Sequence, residues 1–479
     1  MRWETIIGIE VHAELNTKTK IFCGCSTHFG AAPNENICPV CLGLPGTLPV
    51  LNEEVVNIAI KAGLALNCEI NLVNKMDRKN YFYPDLPKAY QISQFDLPIC
   101  KNGHVDIEVD GVKKKIRINR IHIEEDAGKL VHSEDEPVSF IDYNRVGVPL
   151  VEIVSEADMR SPQEAVAYVK ALKAVLEYAE ISDCRMEQGS LRCDANISIR
   201  PFGQEAFNSK VEIKNMNSFK ELQKAMEKEE KRQSELYSYG EGHKVVQETR
   251  RWDSGKGRTI SMRSKEDAHD YRYFPEPDLT PIFLKQAQVE AIQADLPELP
   301  SAKTKRFIEQ YQLTEKEVDI LVGSKALAEF YEGVISKGAA PKTAANWLLG
   351  DLLKLMKEKE EENIPLNQTH FVILLQLIDQ GEISLKIGRE VFEEMFLTGK
   401  APQAIIEEKG LTQISGENAL LKIVEEIMTA HPQSLEDYYA GKIQALGFLM
   451  GQVMKATKGQ ANPLVAKALL EKKLKEKVS

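Results

Sequence analysis

Two close cysteine pairs, Cys23-x-Cys25 and Cys38-x-x-Cys41, are separated by twelve residues that include Gly30 and Pro33. Four thiolates at that spacing suit a tetrahedral zinc site with every position filled, hence a structural rather than a catalytic one. Cys68, Cys100, Cys184 and Cys193 are isolated and read as core residues. A second group is acidic: Glu10, His12, Glu124, Glu125, Asp126, Glu152 and Asp194 lie on or at the ends of different period-2 stretches. Carboxylates with one imidazole are ligands of the kind Mg²⁺ takes beside substrate phosphates. Taken singly, each acid also reads as a solvated surface group, and His12 as a satisfied core histidine. A third element, DRKNYFYPDLPKAYQ from Asp77 to Gln91, is aromatic, basic and broken by Pro84 and Pro87. It reads either as a packed tyrosine-rich loop or as a polar wall, where Lys79 and Lys88 could bind an anion or pass on protons.

Absences narrow the chemistry. There is no G-x-x-x-x-G-K-[ST], because Gly128-Lys129 is followed by Leu130 and Gly399-Lys400 by Ala401. Any nucleotide is therefore held without a P-loop. There is no G-x-S-x-G elbow, no H-E-x-x-H, and no Gly- and Ser-rich stretch of the kind an amidase nucleophile needs.

The elements that must position these groups are legible. Ile7, Ile9, Val11, Ala13 and Leu15 share one face of a predicted first strand, with Glu10, His12 and Glu14 on the other. Leu191, Cys193, Ala195, Ile197 and Ile199 alternate with Arg192, Asp194, Asn196 and Ser198, and Val211 and Ile213 with Lys210, Glu212 and Lys214. Ile121 and Ile123 oppose His122 and Glu124, and Glu152 stands between Val151 and Ile153. Such alternation predicts an antiparallel sheet with one face on a helical core and one polar face. Ser161-Pro162-Gln163-Glu164 and Ser218 with Glu221 are helix starts, and Asn52 caps a helix beginning near Val55.

The chain has 479 residues, enough for about three domains. Its 43% hydrophobic and 28% charged residues are ordinary for a globular protein and exclude collagen-like or mostly disordered classes. Apolar runs such as Phe371–Leu375 are far shorter than the ~20 residues a bilayer span needs, so no membrane segment is expected. The opening MRWETIIGIEVHAEL reads as a strand rather than an export signal, which places the protein in the cytoplasm with reduced thiols. Strand-rich sequence gives way to helical sequence near Leu296-Pro297-Glu298-Leu299-Pro300, and a second break falls near Thr398-Gly399-Lys400-Ala401-Pro402. A net charge of −11 argues against bulk nucleic-acid binding. Residues 441–479 nevertheless hold eight lysines (Lys442, Lys455, Lys458, Lys467, Lys472, Lys473, Lys475 and Lys477) against two glutamates. That stretch reads as a solvated helix face or as a nucleic-acid-facing module.

Eight blocks in order carry a resemblance: GIEVHAEL, DRKNYFYPDLPKAYQISQFD, HIEEDAGK, PLVEIVSEADMRS, GSLRCDANISIRP, EIKNMNSF, DYRYFPEPDL and GQVMKATKGQANP. They resemble the B-subunit family of the aspartyl/glutamyl-tRNA amidotransferases, GatB, along essentially the whole chain. The resemblance implies an α+β antiparallel-sheet cradle over about 1–295, with a zinc-binding insertion at 23–41. An all-helical domain over 296–400 and a helical tRNA-binding tail over 401–479 follow. It implies ATP-dependent phosphorylation of the side-chain carboxylate of Glu-tRNA(Gln) or Asp-tRNA(Asn), then amidation by ammonia from a separate amidase (glutaminase) partner, the A subunit. The small C subunit completes a heterotrimer. It implies that Glu10, His12, Glu125, Glu152 and Asp194 hold Mg²⁺, with Glu124 a neighbouring alternative. By the same resemblance, Ser190, Arg192, Lys214 and Asn215 bind ATP or the substrate carboxylate. Lys79, Tyr81, Lys88 and Glu125 line the mouth of an ammonia channel. The zinc-type cysteines are similar to those of one branch of the family only. Two rival readings are a stand-alone carboxylate–amine ligase and a zinc-stabilised tRNA scaffold without chemistry.

Overall fold

The computed structural model describes residues 2–133, 135–264, 270–361, 363–411, 417–442, 444–457, 461 and 463–476. Lys458 and Lys477 of the basic tail lie outside the described residues. The chain divides into two compact units, Met1–Ala302 and Lys303–Ser479.

The first unit is built on a nine-stranded sheet. Its strands are β1 (Trp3–Glu14), β2 (Glu69–Ile70), β6 (Cys100–Val109), β7 (Val112–Glu125), β10 (Pro149–Ser155), β11 (Leu191–Pro201), β12 (Val211–Lys214), β13 (Glu248–Asp253) and β14 (Arg258–Ser264), ordered β14-β13-β12-β11-β1-β10-β7-β6-β2. Short strands β3 (Val73–Asn74), β4 (Asp77–Asn80), β5 (Tyr90–Ser93), β8 (Lys129–His132), β9 (Ser139–Asp142), β15 (Phe274–Pro275) and β16 (Ile282–Phe283) form three small sheets: β15-β4-β5, β16-β3 and β8-β9. Ile7, Ile9, Val11 and Ala13 of β1 are buried, and so are Leu191, Cys193, Ala195 and Ile197 of β11. Their apolar face packs on helices α1 (Glu53–Ala65), α2 (Pro162–Tyr178) and α3 (Phe219–Ser238) in one core. The alternation of period 2 thus sends Glu10, His12 and Glu14 to the opposite face.

The sheet is mixed rather than wholly antiparallel. β12 and β13 run parallel, and the chain between them crosses over through α3. A parallel pair needs such a crossover, whereas a hairpin can join only antiparallel neighbours.

The side-chain N-cap bonds form at all three helix starts. Ser161 Oγ accepts from Glu164 N (3.1 Å), Ser218 Oγ from Glu221 N (3.2 Å) and Asn52 Oδ1 from Glu54 N (3.0 Å). On β4, the Arg78 guanidinium grips Glu276 with two bonds of 2.7 and 2.9 Å and lies 4.2 Å over the Tyr90 ring. This fork ties the segment around Tyr271 and Tyr273 to the strand that carries Lys79.

In the second unit every described element is helical. Phe307 meets Tyr311 and Tyr331 at 5.1 and 5.4 Å, and Phe330, Phe371, Trp347 and Phe392 form a second set of ring contacts at 5.2–6.5 Å. Helix Leu385–Thr398 stops at Gly399, whose φ of +70° suits glycine, and Pro402 opens the next helix. Helices Glu417–Ala430, Pro432–Tyr439, Gln444–Ala456 and Pro463–Glu476 share a separate apolar cluster that includes Leu420, Val424, Leu449, Val453, Leu470 and Leu474.

Candidate active and metal sites

Cross-strand register assembles the polar face. His12 of β1 stands opposite Glu152 of β10 and Arg192 of β11, and Glu152 stands opposite His122 of β7. Glu10 stands opposite Asp194. Two groups of potential ligands result, His12/Glu124/Glu152 and Glu10/Asp194/Glu212, with the donor atoms of each group within 4.8 Å of one another.

The first group is buried apart from His12. His12 Nε2 lies 3.4 Å from Glu124 and 3.6 Å from Glu152, and His122 Nε2 lies 3.0 Å from Glu152 and 3.5 Å from Glu124. Burial alone would raise both carboxyls and lower both imidazoles. The mutual attraction outweighs it, so Glu152 falls well below the carboxylate range and His122 rises to about 9. The second group already has a cation: Lys214 Nζ binds Asp194 and lies 3.0 Å from Glu212. Burial, followed by Glu152, Glu212 and Asp194, raises Glu10, which accepts from Asn196 Nδ2 at 2.9 Å.

A hard divalent cation fits the first group better. One imidazole and two carboxylates face each other with no lysine or arginine bonded to them among the described residues. Octahedral Mg²⁺ at about 2.1 Å from its ligands sets neighbouring donors about 3 Å apart, within reach of this spacing.

Glu125 does not join either group. It follows Glu124 on β7 and so faces the other side of the sheet, where its carboxylate accepts from Lys88 Nζ and from Ile92 N (2.9 Å). Lys79 stands on the polar-face side with its ammonium 4.8 Å from the Tyr271 ring centre. Burial would depress it, but Glu124, Tyr273 and Glu152 raise it. Burial, with nearby carboxylates adding to it, also raises the Tyr81 phenol, which stays protonated. Arg192 donates to Asp126 Oδ2 (2.8 Å), and Arg145 Nε lies 3.4 Å from the same oxygen. Beside them burial and Asp126 push Glu14 up to about 8. Ser190 is buried; its hydroxyl donates to Asp183 and accepts from Arg185 N (2.8 Å). Asn215 is exposed in the left-handed region, at φ +65°.

Cys23, Cys25, Cys38 and Cys41 converge, all four sulfurs within 4.8 Å of one another and none in a disulfide. A Zn–S distance of about 2.3 Å implies sulfurs about 3.8 Å apart, so the cluster fits zinc with little closure. The Cys23 thiol bonds toward Cys41, whose sulfur also takes the Cys38 N–H (3.1 Å) and faces Lys20 Nζ (3.8 Å). Together these hold Cys41 down to about 5. Lys20 is 0% exposed and also donates to Asn36 O (2.7 Å). The cysteine loop is stitched to residues 141–144: Asn36 N donates to Asn144 Oδ1 (2.8 Å), Asn144 Nδ2 to Ala32 O (2.7 Å) and Asn34 Nδ2 to Ile141 O (3.0 Å).

His122 and Glu212 were not singled out by residue type, although both lie on polar faces of legible strands. Lys20 carried no signal, because a lysine between Thr19 and Ile21 looks like any strand-end cation.

Residues 5–290 match the family model described as the GatB/GatE catalytic domain, and residues 329–474 match the model described as the GatB domain. This is the class of protein that the cradle, with its acidic face, belongs to. A Clostridium beijerinckii protein, described as the B subunit of an aspartyl/glutamyl-tRNA(Asn/Gln) amidotransferase, is 63% identical over 99% of this chain and 100% of its own. Proteins of the same description from Thermoanaerobacter sp. (56%) and Thermodesulfovibrio yellowstonii (52%) match over the same shares of both chains. The chain belongs to the GatB family, the B subunits of aspartyl/glutamyl-tRNA(Asn/Gln) amidotransferases.

Proposed function

We propose that this chain phosphorylates and then amidates the side-chain carboxylate of Glu-tRNA(Gln), Asp-tRNA(Asn) or both. The carboxylate oxygen attacks the γ-phosphorus of ATP and ADP leaves. Ammonia then attacks the acyl carbon, phosphate leaves with the C–O bond pair, and a proton is lost to give the amide. The observation that carries the reading is the buried His12–Glu124–Glu152 group on the polar face of a cradle-family sheet. His12, Glu124 and Glu152 would hold Mg²⁺, with Glu10 and Asp194 beside them. The ion supplies charge neutralisation for phosphates and the transferred phosphoryl group. Lys214 and Arg192 are cations on the same face, suited with Ser190 and Asn215 to ATP phosphates or the substrate carboxylate.

Lys79, Tyr81, Lys88 and Glu125 are read as the mouth of the path by which ammonia arrives. Tyr81, kept neutral, can donate to or accept from ammonia without charging it. With no amidase nucleophile in the chain, ammonia comes from glutamine hydrolysis on the amidase (glutaminase) A subunit, and the small C subunit completes a heterotrimer. The four-cysteine cluster holds a structural Zn²⁺. The cradle covers about 1–295, a helical domain 296–400, and a helical tail from about 401 grips tRNA. The reaction runs in the cytoplasm, where aminoacyl-tRNA is made. The described helices include none long and apolar enough to cross a membrane.

His12→Ala tests the reading. In the assembled enzyme it should abolish ATP cleavage driven by Glu-tRNA(Gln) and leave basal glutamine hydrolysis intact. Normal ATP cleavage would sink the site and its mechanism together.

A further inference from the structure

Next to the His12–Glu124–Glu152 group a cavity of about 530 Å³ opens on the polar face. Glu152 and His122 form part of its wall. His122 is only 5% exposed, and among the described residues its Nδ1 has no hydrogen-bond partner although Nε2 faces the two carboxylates. A buried ring nitrogen without a partner on a cavity wall is a group waiting for a ligand atom.

Two other walls are unlike the metal group. Lys101 of β6 and Arg120 of β7 are cross-strand partners, and among the described residues neither meets a carboxylate. Phe95 stacks flat on Tyr273, with ring centres 4.3 Å apart and planes 7° from parallel. Its backbone N–H is held by Asp77 at 3.0 Å, yet the residue is 56% exposed. An exposed Phe95 ring fixed on a half-buried Tyr273, beside two cations that meet no carboxylate among the described residues, is the combination that binds a nucleotide: the base stacks and the phosphate finds the charges.

We propose that this cavity seats a nucleoside phosphate, its base on the Phe95–Tyr273 pair and its phosphate near Lys101 and Arg120. The identity of that nucleotide rests on the function proposed above, where two substrates carry the group: ATP and the 3′-terminal nucleotide of the tRNA. Phe95, Lys101 and Arg120 then fix position and affinity, and the chemistry stays with the acidic group next to them.

The test uses the assembled amidotransferase with Phe95→Ala and, separately, Lys101→Ala/Arg120→Ala. KM for ATP and KM for Glu-tRNA(Gln) are measured beside kcat, with His12→Ala as a companion. Loss of stacking or of phosphate contacts should raise KM by about tenfold while kcat holds. A rise for ATP alone assigns the cavity to ATP, and a rise for tRNA alone assigns it to the 3′ end. Unchanged KM values for both substrates in both variants overturn the proposal. The two failures are separable, because undiminished ATP cleavage by His12→Ala overturns the functional reading instead.

Discussion

Glu124 and Glu125 are consecutive on β7 yet serve opposite sides of the sheet: Glu124 meets His12 and His122, while Glu125 takes Lys88 and the Ile92 N–H. Strand geometry forces this division, since neighbouring side chains point apart. The two acids should therefore fail differently. Glu124→Gln is expected to remove ATP cleavage by about 10²-fold or more, the scale of losing a group that organises transition-state charge. Glu125→Gln should leave ATP cleavage standing and lower amidation from glutamine relative to added ammonium. Paired assays with glutamine and with ammonium chloride check both, and identical profiles for the two variants would refute the division.

Zinc should be present at about one ion per chain in metal-replete protein, by elemental analysis. Cys38→Ser should lose it and loosen the first unit, since thiolate zinc sites contribute on the order of 10 kcal/mol to small modules. Lys20→Met is expected to weaken zinc retention against a chelator without removing any ligand. Its ammonium is the buried cation beside Cys41 and would offset the charge of the four thiolates once zinc is bound. Equal retention in wild type and Lys20→Met would remove that role.

The helices from Glu417 to Glu476 carry their own apolar cluster, so their removal should leave the cradle folded. Truncation at residue 416 is expected to weaken tRNA binding and flatten its dependence on salt, because lysine–phosphate contacts release counterions. Filter binding across a salt series reads both. An unchanged slope would mean that the basic tail is only a solvated surface.

Glu14 offers a pH signature. Its folded pKa of about 8 lies above the ordinary carboxyl value because burial and Asp126 favour the protonated form. A raised pKa means that the folded state holds the proton more tightly than the unfolded chain. The benefit is complete below the unfolded value and is lost as pH climbs from there towards 8. One such group changes stability by at most about 1.4 kcal/mol per pH unit. Glu14→Gln should therefore raise the melting temperature more at pH 8 than at pH 5. A constant offset across that range would show that the carboxyl titrates normally.

Much of the site was legible because strands have a period of two. Once Ile7, Ile9 and Val11 were assigned to the core, Glu10 and His12 had to share the polar face. The same rule applied at Ile121 and Ile123 separates Glu124 from Glu125, a distinction that the family blocks alone do not make. Strand order and register were not legible, and they decide which acids meet. They join Glu212 to Glu10 and Asp194, and His122 to Glu152. The parallel β12–β13 pair was hidden for the same reason, since α3 reads as a helix whatever it connects. At the start of α2 the Ser-x-x-Glu spacing suits a reciprocal capping box, and only its serine half forms. Ser161 caps Glu164 N, but the Glu164 carboxylate turns to Arg160 N (2.7 Å) and Lys114 (2.7 Å).

β1, the first strand of the chain, lies in the interior of the sheet, between β10 and β11. Its two neighbours are encoded at Pro149–Ser155 and Leu191–Pro201, so during synthesis its backbone groups wait without partners until those segments have emerged. Such long-range pairing is slow to form and exposes an apolar strand edge in the meantime. Because His12, Glu152 and Asp194 sit on these same three strands, the polar face is assembled only when the sheet closes. A nascent chain that ends before β10 lacks Glu152, and one that ends before β11 leaves β1 without its second neighbour.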